Sequence, residues 1–244
     1  MEARQRYAGA CRLAERARTL GELRLLDVGT GLGLNLAAAL EAVQGTECVL
    51  ECVSLEVDAD VLHTTVNLAD REWVDEELAG AHCGWGSSHA EVLSALRTAL
   101  ADPGRAAQPG GIPLGKRARL RLVLGDARRT LPALEPGERF DAVFLDPFSP
   151  GADPALWEPS FLNEVAARMR AGSWLSTYSS AFRVRLALAR AGLRVGRGGR
   201  VGAKASGTLA SPDCEPPPLE PRTARRLAAR AGVFRSDGGF VRAD

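Results

Sequence analysis

The sequence predicts an α/β fold, a mostly parallel sheet with helices on both faces. Two observations predict it. Apolar runs too short for helices alternate with helix-forming stretches along most of the chain. Those runs also end repeatedly on glycine or an acid: Asp27 before Gly29, then Glu56, Gly125-Asp126 and Asp146. In such folds ligands bind beyond the carboxyl ends of the strands, where these residues collect.

Residues 3–18 have helical composition and read as a lead-in helix. Residues 23–28 form a buried strand, 33–43 a helix, 49–55 a second strand ending at Glu56, and 58–69 a second helix. Residues 70–117 break the rhythm and read as an insertion. Helical material (EWVDEELAG, then SHAEVLSALRTAL) leads there into the proline- and glycine-rich PGRAAQPGGIPLGKR, expected as an exposed loop. Alternation resumes with a strand over 119–124, Gly125-Asp126-Ala127, a short helix, and a strand over 140–145 ending at Asp146. A helix over 157–169, a strand over 173–178 and a helix over 181–191 follow. Two short strands near 193–196 and 207–210 form an antiparallel hairpin that completes the sheet. The proline-rich tail from Asp213 is expected to be loose. The chain thus divides into one domain over 1–218, with an insertion at 70–117, and a tail over 219–244.

At 244 residues, 45% hydrophobic and 25% charged, the chain can bury a full core. No run approaches the ~18 apolar residues of a membrane span, and the N-terminus is charged throughout. A cytoplasmic protein without a membrane partner is expected. Cys11, Cys48, Cys52, Cys83 and Cys214 are odd in number and lack C-x-x-C spacing, so they read as reduced thiols. His82, Cys83 and His89 are too few and too far apart for a local zinc site, and no metal is expected. Net charge is +1, yet nine bases and no acid lie between Val165 and Pro212: Arg168, Arg170, Arg183, Arg185, Arg190, Arg194, Arg197, Arg200 and Lys204. Such a stretch suits a polyanion such as RNA. The bland alternative is compositional bias, since arginine outnumbers lysine 29 to 2.

The glycine loop Gly29, Gly31, Gly33 between strand and helix lets a ligand approach backbone N–H groups at a helix N-terminus; the alternative is a tight turn with no ligand. Glu56 is placed to accept both hydroxyls of a ribose. Asp126 can accept from an adenine amino group, with Ala127 offering backbone. Together these describe an adenosine-containing cofactor. The loop is G-x-G-x-G, not the G-x-G-x-x-G or G-x-x-x-x-G-K-[ST] that accompany pyrophosphate, so it suits S-adenosylmethionine, with Asp27 able to help with the ammonium. In FLDPFSPGADPALW, residues 144–157, Pro147 restricts Asp146, so its carboxylate is held in place; the alternative is an Asp that only caps the following turn.

The glycine loop resembles motif I of class I methyltransferases. More specifically, Gly29, Gly31, Gly33, Leu34 and Asn35, the acid Glu56, and the pair Gly125-Asp126 resemble the methyltransferase part of the MnmC-type tRNA wobble-uridine enzymes. Their F-L-D-x-F-[AS]-P-x-x-[ND]-P-x-[LM]-W signature is met by Phe144, Leu145, Asp146, Phe148, Ser149, Pro150, Asp153, Pro154, Leu156 and Trp157. The resemblance runs from about Tyr7 to Pro218, interrupted by 70–117. It implies a Rossmann-like class I methyltransferase fold, a mostly parallel seven-stranded sheet with a C-terminal antiparallel hairpin strand.

It further implies S-adenosyl-L-methionine as cofactor, held by Asp27, Gly29, Gly31, Gly33, Asn35, Glu56, Gly125, Asp126 and Ala127. The implied reaction converts 5-aminomethyl- to 5-methylaminomethyl-uridine at the tRNA wobble position, with Asp146 orienting the amine and taking its proton. Phe148 and Tyr178 are then candidates to stack on the base, and Trp157 for core packing. Arg183, Arg185, Arg200 and Lys204 are candidates for phosphates of the anticodon arm. The chain resembles the stand-alone form, without a flavin-dependent half and with a shorter N-terminal segment than is usual. A monomer is expected. Pro147 departs from the usual small residue, and D-P-F is similar to the D-P-P-[FY] loop of amino-methylating enzymes. That departure keeps another exocyclic or small-molecule amine as an alternative substrate, beside a non-catalytic RNA-binding relative.

Overall fold

The computed structural model describes residues 2–70, 86–199, 201, 206–236 and 239–242. A π-helical segment Arg4–Gly9 and helix α1 (Leu13–Ala17) precede strand β1 (Glu22–Val28), helix α2 (Leu34–Val43), strand β2 (Val49–Glu56) and helix α3 (Ala59–Asp70). Helices α4 (Gly86–Ala101) and α5 (Pro103–Ala106) lead to β3 (Ile112–Pro113) and β4 (Ala118–Leu124). Helix α6 (Ala127–Thr130), β5 (Phe140–Leu145), a 3₁₀ turn Ala155–Trp157, and α7 (Pro159–Ala167) follow. The rest comprises β6 (Met169–Thr177), α8 (Phe182–Arg190), β7 (Arg194–Arg197), β8 (Thr208–Ser211), α9 (Pro221–Ala231) and a separate hairpin, β9 (Val233–Ser236) with β10 (Gly239–Arg242).

The main sheet has eight strands in the order β3-β4-β2-β1-β5-β6-β8-β7. Pairings among β4, β2, β1, β5 and β6 are parallel, and β3, β8 and β7 join antiparallel. The expected sheet is therefore present, with the two-residue β3 added at one edge. Alternation along each strand feeds two faces. Leu23, Leu25, Leu50 and Cys52 pack with α2 and α4, whereas Leu26, Val28, Val53 and Leu55 pack with α7 and α8. Strand order reverses between β1 and β5, which places the topological switch, and its crevice, after Val28 and Leu145.

Three expectations change. The lead-in helix is broken at Arg12, a non-glycine residue in the left-handed region at φ 55°, and its first part is π-helical. The loop expected to be exposed over 103–117 contains α5 and β3, and buries Ala106, Ile112 and Leu114 in the same core as Val92, Ala95, Leu96 and Ala99 of α4. The apolar spacing of SHAEVLSALRTAL thus serves the central layer. Part of the tail expected to be loose is helical: Pro221 starts α9 at the first helical position, where its missing N–H costs nothing. The stretch EWVDEELAG and the residues His82 and Cys83 lie outside the described residues. No helix among the described residues is long and apolar enough to cross a membrane.

Candidate active site

A cavity of about 430 Å³ opens at the carboxyl ends of β1, β2, β4 and β5. Its walls include Gly29, Gly31, Glu56, Asp126, Asp146 and Phe148. Gly125, Ala127 and Tyr178 also line it.

Only one of the three loop glycines leaves space for a ligand. Gly29, at φ +90°, has Asp146 O 2.8 Å and Pro147 Cα 3.2 Å from the position a Cβ would take. The approaching backbone is therefore the protein's own. Gly33, at φ +71°, precedes α2 and makes room for Val92 and Leu96 of α4; it does not line the cavity. Gly31, at φ +49°, faces open space with no heavy atom within 4 Å. Of the three expected ligand contacts, Gly29 and Gly31 line the cavity, whereas Gly33 packs against α4.

Asp146 is held on both carboxylate oxygens. Its backbone N–H donates to Val28 O at 3.0 Å. Its Oδ2 accepts from Asn35 Nδ2 at 2.8 Å, and its Oδ1 accepts from the Tyr7 hydroxyl. Each carboxylate oxygen keeps a second lone pair for another donor. Burial raises the Asp146 carboxyl above the ordinary carboxylate value, while the Tyr7 and Asn35 hydrogen bonds oppose the rise. The Tyr7 hydroxyl is pushed up strongly, first by burial and then by the Asp146 charge, so it stays protonated and remains the donor. Its ring packs on Phe144 with centroids 5.4 Å apart. Sequence reasoning missed Tyr7, because contact with Asp146 spans 139 positions and no local pattern marks it. Asn35 is relocated too: it serves Asp146 and does not line the cavity.

Asp27 needs a larger correction. It is fully buried off the cavity, where its Oδ2 accepts from Ser54 Oγ at 2.8 Å, and Ser54 in turn meets Thr30 Oγ1 at 2.7 Å. It is not exposed to a ligand's ammonium. Burial pushes its carboxyl up to about 8, with the charges of Asp146 and Glu56 adding and the Ser54 hydrogen bond opposing. An acid whose folded-state pKa is raised keeps its proton folded and loses it unfolded. Stability therefore falls as pH rises from about 4 towards 8. Asp27→Asn removes that slope. Thermal denaturation across pH should find the variant gaining on the parent as pH rises from about 4 to 9, with the gap smallest below pH 4; parallel profiles would contradict the account.

The Glu56 carboxylate lines the cavity and gathers three backbone donors: Gly31 N–H at 3.0 Å, Val57 N–H at 2.8 Å and Asp58 N–H at 3.1 Å. These bonds fix its position at the end of β2. Asp126 caps α6 through Arg128 N–H at 2.9 Å and pairs with the Arg128 guanidinium at 2.6 Å. Those hydrogen bonds from Arg128 hold its carboxyl below the usual range.

The Asp146 loop is braced from below. Tyr178 OH donates to Pro147 O at 2.8 Å and Trp157 Nε1 donates to Phe148 O at 2.8 Å, the two rings meeting edge-on. Trp157 is buried, whereas Phe148 is 71% exposed at the cavity mouth. Arg183 donates to the Pro150 carbonyl of the same loop.

Among the described residues the basic stretch does not form one surface. Arg185 is buried and donates to Thr208 Oγ1 and Gly207 O, both at 3.0 Å, so its expected outward role is corrected. Arg168, Arg170, Arg194 and Arg197 are paired with Glu164, Asp141, Glu215 and Glu220. Arg200 and Lys204 lie outside the described residues.

Comparison with known proteins agrees with this geometry. Residues 96–213 match a family of S-adenosyl-L-methionine-dependent methyltransferases. The tRNA 5-methylaminomethyl-2-thiouridine biosynthesis bifunctional protein MnmC of Aromatoleum aromaticum is 35% identical over 171 residues, 69% of this chain and 24% of that protein. The MnmC of Pseudomonas aeruginosa (strain UCBPP-PA14) is 33% identical over 205 residues, 80% of this chain and 28% of that protein. The chain thus spans about a quarter of the length of these curated relatives. The crystal structure of MNMC2 from Aquifex aeolicus superposes with a TM-score of 0.70 at 28% identity, covering 93% of this chain and 65% of that one. The fold, the rim cavity and these matches agree: the chain belongs to the S-adenosyl-L-methionine-dependent methyltransferases and is similar to the MnmC proteins over the part of their length that it spans.

Proposed function

We propose that the chain methylates the 5-aminomethyl group of the tRNA wobble uridine, giving 5-methylaminomethyl-uridine. The observation that carries this reading is the Asp146 carboxylate, fixed by Tyr7 and Asn35 in a cavity wall beside the exposed Phe148. The tRNA substrate is supported by the names of the MnmC relatives, tRNA 5-methylaminomethyl-2-thiouridine biosynthesis proteins.

The residues present fit the cofactor. Gly31 leaves an open approach, and Glu56 holds a carboxylate at the end of β2. Gly125, Asp126 and Ala127 complete the wall after β4. When bound there, S-adenosyl-L-methionine supplies a methyl group activated by its sulfonium. The protein's own task is to present a neutral amine to it. An alkylamine with a pKa near that of lysine costs ~4 kcal/mol to hold unprotonated at pH 7. Asp146 accepts a hydrogen bond from that nitrogen and takes or relays its proton. Tyr7 and Asn35 keep the carboxylate from rotating away, so that positioning supplies part of the rate. Phe148 offers an exposed ring on which an extruded base stacks.

Mass spectrometry of wobble nucleosides in total tRNA, comparing a deletion strain with its parent, tests the proposal. Aminomethyl-uridine should accumulate in the deletion strain and disappear when the chain is restored. Unchanged wobble nucleosides would refute it.

A further inference from the structure

Beside the catalytic crevice lies a second cavity of about 450 Å³, lined by Ser180, Phe182, Arg185, Arg222, Arg225 and Arg226. We propose that this groove between α8 and α9 binds consecutive phosphates of the RNA strand whose base enters the crevice, with Arg222 and Arg225 as the principal contacts. The assignment rests on the RNA reading above and extends it to residues in the tail.

Charge is the first argument. Helix α9, PRTARRLAARA, carries four arginines and no acid. Arg222, Arg225 and Arg226 are spaced i, i+3, i+4 and share a face, and like charges at that spacing repel. Among the described residues no carboxylate pairs with any of the three, although Arg194 and Arg197 nearby both find glutamates. The isolated groove therefore stores repulsion that an anion would relieve.

Its construction is the second. Arg185 is 91% buried, and its bonded N–H groups donate to the neutral oxygens Thr208 Oγ1 and Gly207 O, so a fixed positive charge lies under the groove. The Arg226 guanidinium is stacked 4.1 Å from the Phe182 ring centroid, which holds one wall in place. Position is the third. Tyr178 lines the catalytic crevice and Ser180 lines the groove, two residues apart on one segment. A strand with one base in the crevice would run its adjacent backbone past the arginines.

The test is the double variant Arg222→Gln/Arg225→Gln of the full chain, which leaves Arg226 on Phe182 undisturbed. tRNA binding is measured across a salt series beside KM and kcat for tRNA, cofactor affinity and thermal stability. We expect KM for tRNA to rise about tenfold or more, with kcat and cofactor affinity unchanged. The slope of log affinity against log salt should flatten by about 1.5, as two lost phosphate contacts require. An unchanged KM and slope in a normally stable variant would overturn the proposal. So would intact tRNA binding accompanied by lost binding to phosphatidylserine vesicles, which would assign the groove to a membrane surface. A parent chain that binds tRNA through these arginines but does not methylate it would refute the proposed reaction and leave the groove standing. No tRNA binding by the parent would overturn both.

Discussion

Asp146→Asn should leave S-adenosyl-L-methionine binding intact and slow methylation by about a hundredfold or more, since a positioned proton acceptor contributes on the order of 10²–10⁴ in rate. The substitution keeps the shape and removes the charge. It also places an amide NH₂ where two donors, Tyr7 OH and Asn35 Nδ2, converge, so one hydrogen bond must reverse or break. Single-turnover assays with saturating cofactor isolate the chemical step. The parent should lose activity on acidification through a pKa above the ordinary carboxylate range, the direction in which burial moves Asp146, and the variant should lack that limb. Tyr7→Phe removes one of the two restraints and should lower kcat by a smaller factor, with little change in KM, because the phenol holds the carboxylate and does not line the cavity. Equal turnover of parent and Asp146→Asn would remove the carboxylate from catalysis.

Gly29→Ala should damage the fold itself. The new methyl would sit 2.8 Å from Asp146 O and 3.1 Å from its carbonyl carbon, both backbone atoms of the neighbouring strand end. The φ of +90° adds strain for any residue with a Cβ. Together these should cost about 3 kcal/mol or more, which in a chain of this size lowers Tm by roughly 6–12 °C. Gly31→Ala is the internal control. Its φ of +49° lies where a side chain is strained but sterically allowed, and no heavy atom stands within 4 Å. It should cost ~1 kcal/mol in stability while weakening cofactor binding, because the methyl projects into open space at the cavity. Differential scanning calorimetry and cofactor titration of both variants separate the roles. Similar melting temperatures for the two would contradict the division of labour drawn for this loop.

The contrast between those glycines shows what the sequence could and could not disclose. Strands β1, β2, β4, β5 and β6 were legible because each contains a short apolar run, and β5 was expected over its observed residues, 140–145, whereas β3, β9 and β10 were not expected. The acids Glu56, Asp126 and Asp146 were legible for the same reason, since a strand end in a parallel sheet is a place on the rim. What G-x-G-x-G cannot say is whether the missing side chains make room for a ligand, a neighbouring strand end or a packed helix. Here Gly31, Gly29 and Gly33 divide those roles. Asp27 misled because an acid at a strand end resembles its neighbours on the rim, although one residue pair inward it is fully enclosed. Tyr7 was illegible, because a lone tyrosine in a charged N-terminal segment carries no spacing rule. The arginines divided by partner: those at 168–197 mostly face carboxylates or carbonyls, whereas those at 222–226, with no carboxylate partner among the described residues, lie in a tail whose prolines suggested no structure.

A crystal structure of the chain with S-adenosylhomocysteine tests the central claim most directly. Its adenosine should lie between the Glu56 and Asp126 wall residues, with the sulfur facing Asp146 across a gap wide enough for one amine. A ligand lodged outside that rim, or a sulfur screened from the Asp146 carboxylate by intervening side chains, would contradict it.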